Sequence, residues 1–254
     1  MSLFSQATDV PKLQNDYLLT VARRYWPRVK LSEELIWNTL LAAEADVSHR
    51  MRVLLQPTAV VPATLPPDQI LAAGANGTPV VTEPGYDFDP LFFNGNAFGF
   101  LQLRQAPAIS VSAITFNYPE PTDVLWTIPN DWIRLDQKPA TINLVPTTNP
   151  ATLPFSAMFL QTLTGSRLIP LMMQITYMAG LADAAVDYPD LIDVIKKACV
   201  ISLIEDQYFP ASSSVSGDGL SQSMSMDVSK YQEQIDRRID RLRSQIRGIR
   251  LAVM

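Results

Sequence analysis

Proline and charge are segregated along this chain, and that segregation limits what it can fold into. Sixteen of the 20 prolines lie between Pro57 and Pro170, whereas residues 53–182 carry only 12 of the 45 charged side chains. Proline removes a backbone donor and breaks helices, while helix surfaces carry much of a small protein's charge. The shift predicts an α+β chain: a helical bundle part made of N- and C-terminal helices, with a β-rich insertion in the form of a small antiparallel sheet or barrel. Its divisions read as N-terminal helices over 1–54, a Pro-rich loop and β-rich insertion over 55–182, and a central helix over 183–211. A Ser-rich linker over 212–227 and an amphipathic basic helix over 228–254 complete the chain.

The flanks carry the helical period. Ile36, Leu40, Ala43, Val47, Met51 and Leu54 follow at spacings of three and four, one face of a helix over 32–54. Ser32 suits the N-cap, Glu33 and Glu34 the positive end of the dipole, and Arg50 and Arg52 the negative end. Leu13, Tyr17 and Val21 predict an earlier helix from Lys12 to Trp26, stopped by Pro27. Asp187, Tyr188 and Pro189 start another, with acidic Asp190 and Asp193 in its first turns, and from Ala198 to Ile204 it is apolar nearly all round. Residues 212–229 hold eight serines with Gly217 and Gly219, a composition unable to bury a core, so they read as a linker.

The middle alternates with period two. Leu171, Met173, Ile175, Tyr177 and Ala179 form one face of a strand. Ile109 and Val111 change phase to Ile114, Phe116 and Tyr118, which predicts a bulge near Ala113. Leu101 with Leu103, Ile133 with Leu135, and Ile142 with Leu144 mark shorter strands. Residues 56–97, which include QPTAVVPATLPP and run into FNGNAFG, read as a long ordered loop or hairpin arm.

Composition then removes function classes. With one cysteine, Cys199, no intrachain disulfide forms, and one histidine, His49, leaves no Cys/His zinc cluster. A net charge of −5 argues against a nucleic-acid footprint spread over the whole surface. No run of eighteen apolar residues and no signal-peptide pattern occurs, so a cytosol-like compartment and no membrane partner are expected. His49 lies off the apolar stripe without a nucleophile beside it and reads as a surface residue. Asp87 and Asp89 in GYDFDP have the chemistry of an acid and base pair or a shared metal, but Pro84, Gly85 and Pro90 favour a turn. Asp187, Asp190 and Asp193 read as helix-start charges. Gly217 and Gly219 lack the third glycine and the preceding strand of a dinucleotide loop, and the sequon Asn76-Gly77-Thr78 has no secretion signal to give it meaning. No catalytic residue, metal site or cofactor is expected.

The C-terminal segment is the most informative charged feature. From Val228 onward seven basic residues face three acidic ones, a net of +4 that leaves −9 on the other 227 residues. Intrahelical pairs of Glu233 with Arg237 and Asp240 with Arg243 leave several arginines uncompensated. A stripe of Tyr231, Ile235, Ile239, Leu242 and Ile246, with Arg238 and Arg241 beside it, is therefore expected to dock on a partner.

The order of features resembles the head-to-tail connector (adaptor, or head-completion) proteins of tailed bacteriophages. The resemblance lies in SEELIWNTLLAAEADVSHRMRVLL, the strands LQLRQAPAISVSAITFNYP and DWIRLDQ, and RLIPLMMQITYMAGL followed by YPDLIDVIKKACVISLIEDQYF. It covers residues 32–209, and the last helix loosely. It implies a structural virion protein of the bacteriophage neck, made in the host cytoplasm. Its subunits form a homo-oligomeric ring, commonly a dodecamer, at the head-tail junction below the portal. Its partners are then itself, the portal protein, a tail-side neck or tail-completion protein, and DNA that passes through during ejection without sequence-specific binding. The stripe residues become portal-binding candidates. The competing readings are a carboxylate-dependent enzyme and a DNA-binding protein acting through the C-terminal basic helix.

Overall fold

The computed structural model describes residues 2–25, 27–89, 100–117, 120, 122–145, 168–208 and 228–248. The expected linker over 212–227 and the FNGNAFG stretch lie outside these residues. The elements in chain order are helices α1 (Gln6–Gln14), α2 (Tyr17–Tyr25) and α3 (Glu33–Met51), strand β1 (Thr58–Pro62), helix α4 (Pro67–Ala73), and strands β2 (Val80–Glu83) and β3 (Tyr86–Phe88). Strands β4 (Phe100–Gln102), β5 (Ala108–Asn117), β6 (Val124–Thr127), β7 (Ile133–Asp136), β8 (Thr141–Leu144) and β9 (Ile169–Ala179) follow, then helices α5 (Ala184–Asp187), α6 (Pro189–Tyr208) and α7 (Val228–Arg247). The chain is α+β with helices towards both termini and a β-rich middle. It divides into two compact units, residues 1–52 with 183–245, and residues 53–182 with 246–254.

In the helical unit, α3 forms as its pattern dictates. The Ser32 hydroxyl accepts the Leu35 N–H at 3.1 Å, and Ile36, Leu40, Ala43, Val47 and Met51 are buried. The helix stops where Arg52 turns left-handed at φ 54°, so Leu54 lies beyond it. α6 packs along α3, burying Leu191, Val194, Ile195 and Cys199, whose Sγ lies 4.0 Å from the Ile36 carbonyl oxygen.

The helix expected from Lys12 to Trp26 is instead two. Asp16 interrupts it because its Oδ1 accepts the Leu18 N–H at 2.8 Å and so caps a new helix. Leu19 and Ala22 are the buried positions of α2, and Tyr17 is exposed. α1 is tied down by Lys196 Nζ donating to Asp9 Oδ1 at 2.8 Å. Burial alone raises the Asp9 carboxyl, but the hydrogen bonds from Lys196 and the Ser5 backbone and the charges of Lys196 and Lys12 outweigh it and hold it below its ordinary value. Ahead of α1, buried Glu44 accepts the Leu3 N–H at 2.9 Å and the Ser2 hydroxyl.

The β unit contains a mixed sheet in the order β2-β1-β9-β5-β6, with β3 also paired to β9, and a separate antiparallel sheet β4-β8-β7. The expected small antiparallel sheet is present as β4-β8-β7, and beside it stands a larger mixed sheet with one parallel pair that the sequence reading did not foresee. The segment expected as a loop or arm supplies that pair: β1 and β2 run parallel, Ala59 beside Val80, joined through α4. A parallel pair needs such a crossover, and Pro67 in the first turn of α4 begins it.

The bulge expected near Ala113 is present, since the β5–β9 register shifts between Val111 and Ala113 and again between Ala108 and Ser110. That lets β5 turn Ile114 and Phe116 into the core formed by Val60, Leu103, Ile142, Met173, Ile175 and Tyr177. Phe116 stacks on Trp126 at 5.6 Å, and Trp126 meets Trp132 edge-on at 5.7 Å. Leu171 departs from the expected face. It adopts φ 55° and is exposed, which breaks the alternation before Met173. Gly180 closes the sheet: at φ +109° a Cβ there would lie 2.1 Å from the Gln56 carbonyl oxygen, so only glycine fits.

Candidate functional site

The terminal helix α7 carries the expected interaction residues, and the structure separates them into two sets. Ile235, Ile239, Leu242 and Ile246 are buried, at 7, 1, 5 and 1% exposure, whereas Tyr231 retains 44%. Arg238 and Arg241 lie on the exposed side. The stripe expected to await a partner is therefore already covered, and the surface left on α7 is cationic and aromatic.

Ion pairs anchor the helix within its unit. Asp236 Oδ1 accepts from Arg50 of α3 at 2.5 Å, and Arg238 Nη1 donates to Asp193 of α6 at 2.9 Å. Gln232 Nε2 donates to Glu205 Oε1 at 2.6 Å. Along the helix Glu233 pairs with Arg237 at 2.5 Å as its spacing dictates. Asp193 Oδ2 also takes Lys197 at 2.7 Å, so one carboxylate serves two cations. Arg241 and Arg243 make no ion pair among the described residues. Beside the helix lies a groove of about 110 Å³ lined by Leu18, Lys197, Ile201, Tyr231, Ile235 and Arg238.

A buried polar centre in the β unit was not legible in the sequence. Glu83, at the end of β2 and 5% exposed, receives the Tyr86 hydroxyl at 2.6 Å and the Tyr177 hydroxyl at 3.2 Å. The tyrosine oxygens accept the backbone N–H groups of Arg104, at 3.0 Å, and Gln105, at 3.2 Å. The Arg104 guanidinium lies 4.0 Å over the Tyr86 ring and donates to the carbonyls of Pro84 at 2.5 Å and Gly85 at 2.8 Å.

Burial raises the Glu83 carboxyl above its ordinary value, against the opposing pull of the Tyr86 hydrogen bond, the Arg104 charge and the Tyr177 hydrogen bond. Burial raises both tyrosines as well, helped at Tyr86 by Glu83 and at Tyr177 by Tyr86 and Glu83, so each hydroxyl stays protonated and donates. The cluster pins the Pro84–Gly85 turn to the sheet. It holds no activated nucleophile, and its four side chains come from positions 83, 86, 104 and 177, a spacing no local motif encodes.

The remaining sequence candidates take structural positions. His49 is exposed and its carbonyl accepts the Arg52 N–H at 3.1 Å. Asp87 accepts the Leu171 N–H at 2.9 Å and so holds β3 against β9. Asp187, the last residue of α5, and Asp190, in the first turn of α6, are exposed, and Asn76 and Gly77 take left-handed conformations in a short turn. Gly217 and Gly219 lie outside the described residues. Among the described residues no three His, Cys, Asp or Glu side chains converge as metal ligands, and no helix is long and apolar enough to cross a membrane. Cys199 is free and buried, and burial pushes its thiol up to about 12.

No family model matches this chain, and no curated protein matches it in sequence. The solved structures similar to it include two from gene transfer agent particles. A chain from the neck of an empty GTA particle, computed with C6 symmetry, is 15% identical with a TM-score of 0.44, over 100% of this chain and 96% of that one. A chain from the virion of a native gene transfer agent (GTA) particle is 14% identical with a TM-score of 0.39, over 89% of this chain and 83% of that one.

Proposed function

We propose that this protein is a head-to-tail connector subunit of a tailed-phage-like particle. It forms a ring, twelvefold by the resemblance, beneath the portal, joins the DNA-filled head to the tail side, and lets DNA pass without reading its sequence. The observation that carries this reading is the order of elements: α3 opens the helical unit, the β-rich unit intervenes, and β9 leads through Gly180 and α5 straight into proline-started α6, which packs back along α3. That is the arrangement the family resemblance calls for. It needs no catalytic group, and the two candidate carboxylates serve the backbone or neighbouring contacts instead: Asp87 lies in strand β3 and not in the expected turn, and Asp89 follows that strand.

In this reading Ile235, Ile239 and Leu242 hold α7 to the helical unit, and the helix offers the portal its outer surface: Tyr231, Arg238, Arg241 and Arg243. The Arg241 and Arg243 guanidiniums, which make no ion pair among the described residues, suit an acidic or hydrogen-bond-accepting partner and lend the encounter a salt-dependent rate. The test is direct. Portal protein of the same particle, mixed with the full-length chain, is imaged for a ring of added density and assayed for co-sedimentation. A closed ring on one end of the portal is expected. A chain that neither binds the portal nor forms a ring on it overturns the reading.

A further inference from the structure

A ring of identical subunits needs two different surfaces that fit each other, one on each side of the subunit. The mixed sheet has such a pair in its two open edges, β2 and β6, neither of which has a second strand partner among the described residues. We infer that, if the connector reading holds, adjacent copies join edge to edge, β6 of one copy pairing antiparallel with β2 of the next, with Val80 opposite Thr127.

Strand direction and hydrogen-bond phase carry the argument. β2 is parallel to β1, β1 is antiparallel to β9, β9 to β5 and β5 to β6, so β2 and β6 run in opposite senses within one sheet. A ring operator that preserves strand direction therefore brings β6 to the next copy's β2 as an antiparallel pair, the more stable kind.

On β2 the carbonyls of Pro79 and Glu83 accept the N–H groups of Ala59 and Ala63, both at 2.8 Å, so these residues face β1. By alternation Val80 and Thr82 turn their N–H and C=O groups outward. On β6 the Ile128 N–H donates to the Ile114 carbonyl at 2.9 Å, so Thr127 faces outward. Val80 and Thr127 in register exchange two hydrogen bonds, and the bulge of β6 between Val124 and Trp126 sets the end of the seam.

Open edges are normally protected by charge or proline. Here the outward residues Val80, Thr82 and Thr127 are uncharged, and on the β6 edge the aliphatic Val124 is 59% exposed. These features favour a second copy of the chain over a charged partner.

The test uses the full-length chain with Val80→Cys and Thr127→Cys together, assembled on the portal under mild oxidation. Cys199 is buried and adds no cross-link of its own. A reducible ladder of covalent multimers is expected from the double variant, and none from either single variant. Rings that assemble on the portal without this ladder overturn the seam while leaving the connector reading standing. Dimers formed by a single variant also overturn it, because they mean an isologous contact. A chain that forms no ring on the portal overturns the connector reading and the seam with it.

As a second measurement, Thr82→Pro removes one outward donor and no internal hydrogen bond. It is expected to leave the melting temperature of the free chain unchanged and to abolish ring closure. Protection of the Val80, Thr82 and Thr127 amides against hydrogen exchange in the free chain shows that the edges are already covered, and overturns the inference.

Discussion

Ile239→Ala tests how firmly α7 belongs to its own unit. Ile239 is 1% exposed and lies midway between Ile235 and Leu242 on the buried stripe. Replacing a buried isoleucine by alanine removes its transfer free energy and leaves a cavity, a loss of about 2–4 kcal/mol. The ion pairs at Asp236 and Asp193 hold the helix in place, so the cavity is expected to persist rather than be relieved by detachment. With a urea m-value of about 2 kcal/mol/M, the midpoint falls by about 1–2 M. Far-UV circular dichroism across a urea titration reads this, since the helical unit supplies most of the signal. Arg241→Glu on the exposed side is the control and is expected to stay within about 0.5 kcal/mol. If Ile239→Ala also stays within about 0.5 kcal/mol with an unchanged m-value, α7 adds nothing to the folded unit, and the separation into a packed face and a presented face is refuted.

Charge reversal of Arg241 and Arg243, which leaves the Arg238–Asp193 anchor intact, should weaken portal co-sedimentation, more at low ionic strength than at high; a salt-independent loss counts against an electrostatic contact. Gly180→Ala places a methyl group against the Gln56 carbonyl and should cost about 3 kcal/mol or more, read as a lowered denaturation midpoint. Asp9→Asn breaks the partly buried pair with Lys196 and should cost about 1–2 kcal/mol at neutral pH. Because the folded Asp9 carboxyl lies below its ordinary value, that stability is present above the unfolded pKa and lost as pH falls through the folded one, so the variant's stability should fall less on acidification. Glu83 has the opposite sign: its folded value is raised, so its contribution is full at acid pH and declines as pH rises through the folded value. Glu83→Gln should flatten that decline in pH-dependent hydrogen exchange around Tyr86.

Local chemistry was enough to place the regular elements whose signals lie within a few residues. Ser32, the two glutamates behind it and the three-and-four spacing of Ile36 to Met51 specify α3, because capping and helical amphipathicity are properties of one turn and its neighbours. The phase change between Val111 and Ile114 marked a bulge for the same reason, since alternation is kept or broken strand by strand. Pro189 with its acidic neighbours gave the start of α6.

Tertiary structure decided what depends on partners distant in sequence. Whether Lys12 to Trp26 is one helix or two turned on Asp16 capping a new turn, and on the burial of Leu19 and Ala22 in place of Tyr17. Parallel pairing of β1 with β2 arises from a crossover whose strands, taken singly, look like turn-rich loop. The Glu83 centre exists only because the sheet brings Tyr177 to a carboxylate 94 positions earlier. The stripe on α7 shows the division most plainly. The sequence by itself determined that Ile235, Ile239 and Leu242 share a face and must be covered, because apolar surface left in water makes a lone helix marginal. It could not say by what, since the hydrophobic effect rewards removal from water and is indifferent to which surface does the covering.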